Sequence, residues 1–419
     1  MFAARQQTAL EYAEDEDQAR QITYPQLAEM IRSAEAYVRE SGQTVRVIRT
    51  NHTPACIADI FGSMMAGCDV IMSDEMIPED LTAKIAAAAE QARAARCPAP
   101  DAEVELLFFT SGTTSRSKVV RLTSESFTAS AWSGQSMLAC GEGDRLLSIL
   151  PLNHVFGFVC ALLWGLAYGA TVCLGRGVRH IVDDTLFFRP TIVSAVPSLV
   201  DAMLRFNTLN EELKVILIGA APCTRETAAA LRSRGIDVYF GYGLTETSSG
   251  IAITQDLDDP ARLYPCPGAD IREEEDGEIS VATPCMMQGY LGMPSVLQDG
   301  RFFTGDIGRV DEDGCLRLFG RKKDVLIMAD GTKIFCPEYE EDLARMIGSN
   351  EVALIVRNGR AVLVAGPDVD EEKLREAVRE YNRELMRSQQ IYDIVISNRP
   401  LPRTATGKVR RYELQERFK

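Results

Sequence analysis

The 419-residue chain is short of positive charge, of closely spaced cysteines and of long uninterrupted apolar runs. Its 45 Lys and Arg stand against 60 Asp and Glu, a net charge of −15. A general nucleic-acid binder presents a basic surface, so that class is excluded, whereas a nucleotide needs only a local cationic pocket. Eleven cysteines are scattered with no Cys-x-x-Cys pair, which argues against a disulfide or zinc framework and for reduced, buried thiols in a cytoplasmic protein. The first residues, Met1-Phe2-Ala3-Ala4-Arg5, lack the apolar core of a signal peptide. Residues 155–175 carry no charge, a length that could span a bilayer. Gly169-Ala170-Thr171 interrupts that stretch, and it reads as a buried helix followed by a buried strand, not a membrane span. No Gly-x-x-x-x-Gly-Lys-Ser/Thr motif occurs, which excludes a Walker A loop. Internal repeats and low-complexity tracts are also missing.

What is present is a globular composition, 46% hydrophobic and 25% charged. The length implies two or more domains. Residues 1–100 read as an opening α/β region: an amphipathic helix over 27–38 after Thr23-Tyr24-Pro25, strands at 45–48 and 70–72, and helices at 57–65 and 83–95. Strand-like runs then recur at 104–109, 146–150, 191–195, 215–218 and 238–240, with helices between, as over 225–234. Such alternation predicts a doubly wound α/β architecture with ligands at the carboxyl ends of the strands. Beyond Gly250 the texture becomes β-rich, with strands at 277–281, 308–310 and 316–319. The charged run Gly320-Arg321-Lys322-Lys323-Asp324 reads as an exposed hinge or a solvated turn. About 100 residues of α+β pattern follow: Pro337 opens a helix, Asn358-Gly359 turns a hairpin, 371–385 is helical and 399–411 is a basic loop. The expected division is a large domain, 1–320, and a small mobile domain, 321–419, with the hinge near Lys323.

The most informative stretch follows the strand at 104–109. Thr110-Ser111-Gly112-Thr113-Thr114-Ser115-Arg116-Ser117-Lys118 joins hydroxyls, backbone amides and a terminal lysine, a composition able to wrap phosphate oxygens. By itself it reads equally as a polar surface loop. Further short motifs follow in order: Pro151-Leu152-Asn153-His154, Gly219-Ala220-Ala221-Pro222, Tyr242-Gly243-Leu244-Thr245-Glu246-Thr247, Thr304-Gly305-Asp306, Gly320-Arg321 and Thr406-Gly407-Lys408.

Together these stretches resemble the adenylate-forming superfamily of acyl- and aryl-CoA synthetases, luciferases and peptide-synthetase adenylation domains. The resemblance implies that a carboxylic acid, fatty or aryl, is joined to AMP from ATP with release of pyrophosphate. The acyl group then passes to a thiol, of coenzyme A or of a carrier protein's phosphopantetheine. It implies that Thr110, Ser111, Gly112, Thr113, Thr114 and Lys118 hold the β- and γ-phosphates. Glu246 binds Mg²⁺ and Thr245 the α-phosphate. Tyr242 and Gly243 lie with Gly219, Ala220 and Ala221 around the adenine, and Asp306 accepts the ribose hydroxyls with help from Arg321. Lys408 is the catalytic cation of adenylation, and Lys323 marks the pivot of the small domain. His154 and Gly241 line the acyl pocket, with the apolar Phe156, Phe158 and Trp164 near by.

Blander readings stand beside these: Glu246 as an acid in a helix's first turn, His154 as packed core, Asp306 as a turn cap, Lys408 as one cation of a basic tail. A basic patch of Arg403, Lys408, Arg410 and Arg411 would suit an acidic carrier protein. The chain departs from the family at Ser115, Ser117 and Val119, where glycine, proline and glycine are usual, and in the roughly 100 residues before the loop, fewer than usual. The first leaves the loop less free to adopt positive φ; the second implies a trimmed N-terminal subdomain. From another class, the rival is a non-catalytic protein that binds nucleotide or acyl ligand through a degenerate loop.

Overall fold

The computed structural model describes residues 6–15, 18–96, 103–110, 118–220, 225–256, 258–329, 332–403 and 409–418. The chain divides into two compact units: residues 1–272, 280–302 and 310–317 form the first, and 273–279, 303–309 and 318–419 the second.

In the first unit, Val45–Arg49, Asp69–Ser73 and Glu105–Phe109 are parallel strands, with Pro54–Met65 and Glu79–Arg96 as crossover helices. Val119–Thr123 returns antiparallel beside Glu105–Phe109, and Gly289–Tyr290 adds antiparallel beyond it. The second sheet has a parallel centre of Thr171–Leu174, Arg145–Ser148, Ile192–Ala195, Val215–Ile218 and Asp237–Leu244, in that spatial order. Thr8–Ala13 extends it in parallel and Ala19–Thr23 closes that edge antiparallel. Ser249–Thr254 and Leu263–Pro265 continue antiparallel on the other side. Parallel strands are covered on both faces, so they read as unbroken apolar runs. Leu147, Ile149, Val193, Ile216, Ile218 and Val238 accordingly make a core with Phe188, Met203 and Leu231 from the helices.

Local chemistry explains the elements. The helix Tyr24–Ser41 begins on Thr23, whose side chain and that of Gln26 form a capping box, with proline in the first turn and Gly42 at φ +66° ending it. Tyr24 is fully buried and its hydroxyl donates to the Ala170 carbonyl at 2.8 Å. The uncharged stretch forms a π-helix, Phe156–Leu163, continued by Trp164–Tyr168 and then the buried strand Thr171–Leu174. The helix–strand expectation is met, and among the described residues no helix is long and apolar enough to cross a membrane. Within the π-helix, the Cys160 carbonyl accepts from the Ser194 hydroxyl at 3.1 Å. Nine cysteines are described, all free; eight are buried and Cys160 is half-buried. The strands Thr8–Ala13 and Ala19–Thr23 escaped the sequence reading because the outer one is an edge strand with no buried face.

In the second unit, Val352–Arg357 and Arg360–Ala365 form the expected hairpin, with Asn358 and Gly359 both at positive φ as an I′ turn demands. Ile391–Ile396 pairs in parallel with Arg360–Ala365. Cys336–Ile347 and Glu371–Arg383 pack on one face of this sheet, while Leu401 and Leu414 cover the other. One expectation is corrected here. Arg411 does not belong to a loose basic loop; it opens the helix Arg411–Arg417 and is half-buried in an ion pair with Glu340 at 2.5 Å. The surrounding sheet edge explains this. Glu340 accepts from Leu354 N, Arg411 donates to Leu354 O, and Gln415 satisfies both Val356 N and O, so side chains take the place of a further strand.

At the start of the first sheet, Asp69 is 1% exposed and pairs with Arg93 at 2.6 Å and with Arg96. Glu105, equally buried, pairs with Arg96 and with Arg121 at 2.7 Å, and its amide donates to Asp69 at 2.9 Å. Removing one member of such a network strands the opposite charges in low dielectric. Asp69→Ala is expected to cost about 3–5 kcal/mol, measured by urea unfolding against the unsubstituted chain.

Candidate functional site

The hydroxyl-rich loop hangs from a closed neck. Thr110 N donates to Lys118 O at 2.9 Å and Lys118 N to Thr110 Oγ1 at 3.3 Å, so the loop is the tip of the hairpin between Glu105–Phe109 and Val119–Thr123. Ser111, Gly112, Thr113 and Thr114 lie outside the described residues, as do Ser115 and Ser117. Val119 is a strand residue, buried against Val45, Ile71, Leu107 and Phe109. A valine there fills the core and no positive φ is required, so that departure from the family pattern does not touch the loop.

Glu246 lies in a single 3₁₀ turn, Thr245–Thr247, between the strands Asp237–Leu244 and Ser249–Thr254. Its Oε1 accepts from the Tyr290 hydroxyl at 2.7 Å. The Lys118 ammonium stands 4.4 Å from the centre of the Tyr290 ring. The structure thus brings together two residues from separate motifs, Lys118 and Glu246, through a third that sequence reasoning missed. The only signal for Tyr290 was Gly289-Tyr290 in a turn-rich region, and a short strand of two residues has no periodicity to read. Burial, and then the Glu246 carboxylate, push the Tyr290 phenol far above its ordinary value, so it keeps its proton and donates. The described residues hold no cluster of three His, Cys, Asp or Glu able to cage a metal. One carboxylate fits an ion whose shell is completed by phosphate oxygens and water, as that of Mg²⁺ is.

The turn around Glu246 is tight. A Cβ at Gly243 would stand 1.8 Å from the Ser249 carbonyl oxygen, so only glycine lets the two strands cross. Ser248 and Ser249 have φ of +53° and +104°, and Ala220, at the end of Val215–Ile218, has +68°. Strain in non-glycine residues concentrates at functional loops. Tyr242 is half-buried opposite Ala252, and Gly219 packs against the Phe156 ring, where a Cβ would approach to 2.8 Å. Ala221 lies outside the described residues. Gly241 differs from both: a Cβ there would meet Leu217 at 3.6 Å and nothing closer. A side chain there would make only ordinary van der Waals contact, so packing does not demand glycine at 241.

His154 stands at the mouth of the π-helix, its amide donating to Pro151 O at 3.2 Å. It is exposed, not packed core, and protein beneath the ring lowers its pKa while Asp74 opposes the shift. Next to it, Asn153 is buried and donates to Asp74 at 2.7 Å. His52 is pushed down to about 4 by burial, its Nε2 3.1 Å from Leu150 O. Phe158 and Trp164 are core: Phe158 is ringed by Phe61, Phe108 and Phe127, and Trp164 donates to Gln135 at 2.7 Å. Phe156 alone of the three keeps a partly open ring.

In the second unit, Asp306 and Arg321 are partners, with Arg321 Nε 2.9 Å from Asp306 Oδ1. Asp306 is 6% exposed on Phe302–Val310. It does not cap the turn; the Thr304 hydroxyl does, accepting from Asp306 N at 3.1 Å. Gly305 supplies φ +72° and donates to Glu278 at 2.9 Å. Arg321 also donates to the Thr304 carbonyl at 3.2 Å. Lys322 bridges Asp276 and Glu278, each at 2.7 Å, so the charged run is paired and not merely solvated. Lys323 lies in the turn Lys322–Asp324, while Lys408 lies outside the described residues.

The comparisons agree on one family. The AMP-binding enzyme family matches residues 70–291. The 2-succinylbenzoate–CoA ligase of Bacillus velezensis is 31% identical over 385 residues, covering 83% of this chain and 77% of that protein. Feruloyl-CoA synthase of Amycolatopsis is 29% identical, covering 75% and 70%. Among solved structures, O-succinylbenzoate coenzyme A synthetase from Bacillus subtilis, in complex with AMP, superposes with a TM-score of 0.76 over 97% of this chain and 95% of that one, at 23% identity. The anthranilate CoA ligase AuaEII with anthranoyl-AMP gives 0.77 over 99% and 95%, at 19% identity. These likenesses bear out the α/β fold.

The two glycines of the Glu246 strand separate close packing from ordinary contact. Gly243→Ala is expected to lower stability by about 1–3 kcal/mol, the range for overpacking, whereas Gly241→Ala should leave the melting temperature unchanged. Calorimetric melting of both variants checks the contrast.

Proposed function

Because the chain belongs to the AMP-binding enzyme family, within the adenylate-forming superfamily, we propose that it activates a carboxylic acid with ATP and transfers the acyl group to coenzyme A. The first step joins the acid to the α-phosphate and releases pyrophosphate; the second is attack of the thiol on the acyl-AMP. The single observation that supports this reading is the convergence of Lys118 and Glu246 on Tyr290, which sets an ammonium and a carboxylate from separate motifs against one side chain. Two anions must approach in the first step, so positioning and charge neutralisation do most of the work.

In this reading the 110–118 loop holds the terminal phosphates, Glu246 holds Mg²⁺ and Thr245 reaches the α-phosphate. Tyr242, Gly243 and the 219–221 backbone flank the base. Asp306, pre-aligned by Arg321, accepts the ribose hydroxyls, for which an ionised carboxylate is suited. Mg²⁺ supplies charge neutralisation on the transferring phosphates when bound. His154 and Gly241 line the pocket that takes the acyl group. Residues 1–320 act as the adenylation domain and 321–419 as a lid that turns at Lys323 and carries Lys408.

Relatives named for succinylbenzoate and ferulate support an aryl or aryl-alkyl acid ahead of a fatty acid. Coenzyme A is favoured over a carrier protein because the arginines of the suggested basic patch are already paired: Arg403 with Glu351, Arg410 with Glu413 and Arg411 with Glu340. The rival role, binding nucleotide or acyl ligand without turnover, loses one of its three supports with Val119 in the core, while Ser115 and Ser117 lie outside the described residues.

Acid-dependent exchange of labelled pyrophosphate into ATP, run with aryl and fatty acids in parallel, is expected only with Mg²⁺ and strongest with aryl acids. Absence of exchange with every acid would sink the ligase reading. Lys408→Ala should slow acyl-AMP formation by roughly a hundredfold or more, about 3 kcal/mol. The same variant supplied with synthetic acyl-AMP and coenzyme A should form thioester near the normal rate; equal loss in both steps would reject the lid assignment.

A further inference from the structure

Tyr290 belongs to none of the phosphate, metal, base or ribose motifs, yet it touches two of them. It is 4% exposed and sits on a strand of two residues, opposite Val120 of the strand that leaves the loop. Its segment is fixed on both sides. Gln288 N donates to Arg121 O at 2.9 Å and Leu291 N to Val119 O at 2.8 Å, while Met287 N donates to the Glu246 carbonyl at 2.8 Å. The segment therefore straps the Glu246 turn to the strand below the loop. Within that strap the Tyr290 hydroxyl reaches Glu246 Oε1 and the ring lies under the Lys118 ammonium.

We propose that Tyr290 is a positioning residue for Glu246, holding one carboxylate oxygen so that the other is presented to Mg²⁺–nucleotide in a single orientation. This rests on the functional reading above. The geometry supports it in two ways. Among the described residues the phenol donates to Oε1 and no donor reaches Oε2, which leaves one oxygen for a metal. A phenol donates one proton and carries no charge, so it orients the carboxylate without competing for it as a cation would. Outer partners of metal-binding carboxylates have this effect in general, and their loss weakens metal binding about 10–100-fold. The ring's second contact follows from the same placement: it keeps the Lys118 ammonium beside the carboxylate without a direct ion pair that would occupy the metal's oxygen.

Tyr290→Phe removes the hydroxyl and keeps the ring, its packing and its contact with Lys118. Mn²⁺ binding to the enzyme–ATP complex, followed by electron paramagnetic resonance, is expected to weaken about tenfold or more. The Mg²⁺ concentration for half-maximal pyrophosphate exchange should rise in step. The rate at saturating Mg²⁺ and the melting temperature should stay at the unsubstituted values. Unaltered Mn²⁺ binding in a folded Tyr290→Phe protein would overturn the proposal. If the variant melts early, the test moves to the Glu246→Gln background. There Tyr290→Phe should change metal dependence no further; an additive effect would show that Tyr290 acts on the metal by another route. Exchange by the unsubstituted enzyme separates the two readings, since its absence rejects the ligase function, whereas its presence with unaltered metal binding in Tyr290→Phe rejects only the positioning role.

Discussion

The register of Val119–Thr123 between Glu105–Phe109 and Gly289–Tyr290 is the constraint on which the candidate site depends. Phe109 faces Val119 and Val120 faces Tyr290, and a slip of one residue would turn every side chain of the central strand to the other face. Such a slip would exchange the side chains packed on the strand's two buried faces, open the neck between Thr110 and Lys118, and swing Tyr290 away from Glu246. The ion network of Asp69, Arg93, Arg96, Glu105 and Arg121 holds the opposite end of the same strands. It pairs Arg121 with Glu105 across the two antiparallel strands and so specifies the register as well as stabilising it.

Rigidity and strain are distributed in a way that suits chemistry on a loop. The central strands are buried, while three of the seven non-glycine residues at positive φ among the described residues are Ala220, Ser248 and Ser249. Those residues adjoin the turns assigned to the base and the metal. The tight crossing at Gly243 and the strap from Met287 to Leu291 hold that strained turn in place. Rigid strands then present the short, fixed turn that bears Glu246.

The second unit follows the same logic at another scale. Its edge strand Val352–Arg357 would be open to pairing, and Glu340, Arg411 and Gln415 close it with side-chain hydrogen bonds. The segment bearing Lys408 is flanked by two ion pairs, Arg403 with Glu351 and Arg411 with Glu340. A cation carried on such a segment has anchored ends.

Much of the molecule was legible in the sequence because its signals are local. Apolar runs of strand length, Thr23 before Tyr24-Pro25, Asn358-Gly359 and Pro337 each act within a few residues, and each produced the expected element. The motif order likewise identified the family, since short motifs preserve residue type and spacing. What escaped was non-local. The edge strand Ala19–Thr23 has no buried face to leave a pattern. The basic residues near the C-terminus read as one patch because charge in sequence says nothing about partners, and Arg411 proved to be paired, half-buried, with Glu340, 71 residues away. Val119 looked like a lost glycine until its place in the strand was known. Tyr290 gave little signal beyond Gly289-Tyr290 in a turn-rich region, since its hydrogen bond to Glu246 spans 44 residues and exists only in the folded sheet. Residue types and local conformation were determined by the sequence alone; which side chains meet was decided by strand register and burial, because those are set by the packing of the whole sheet.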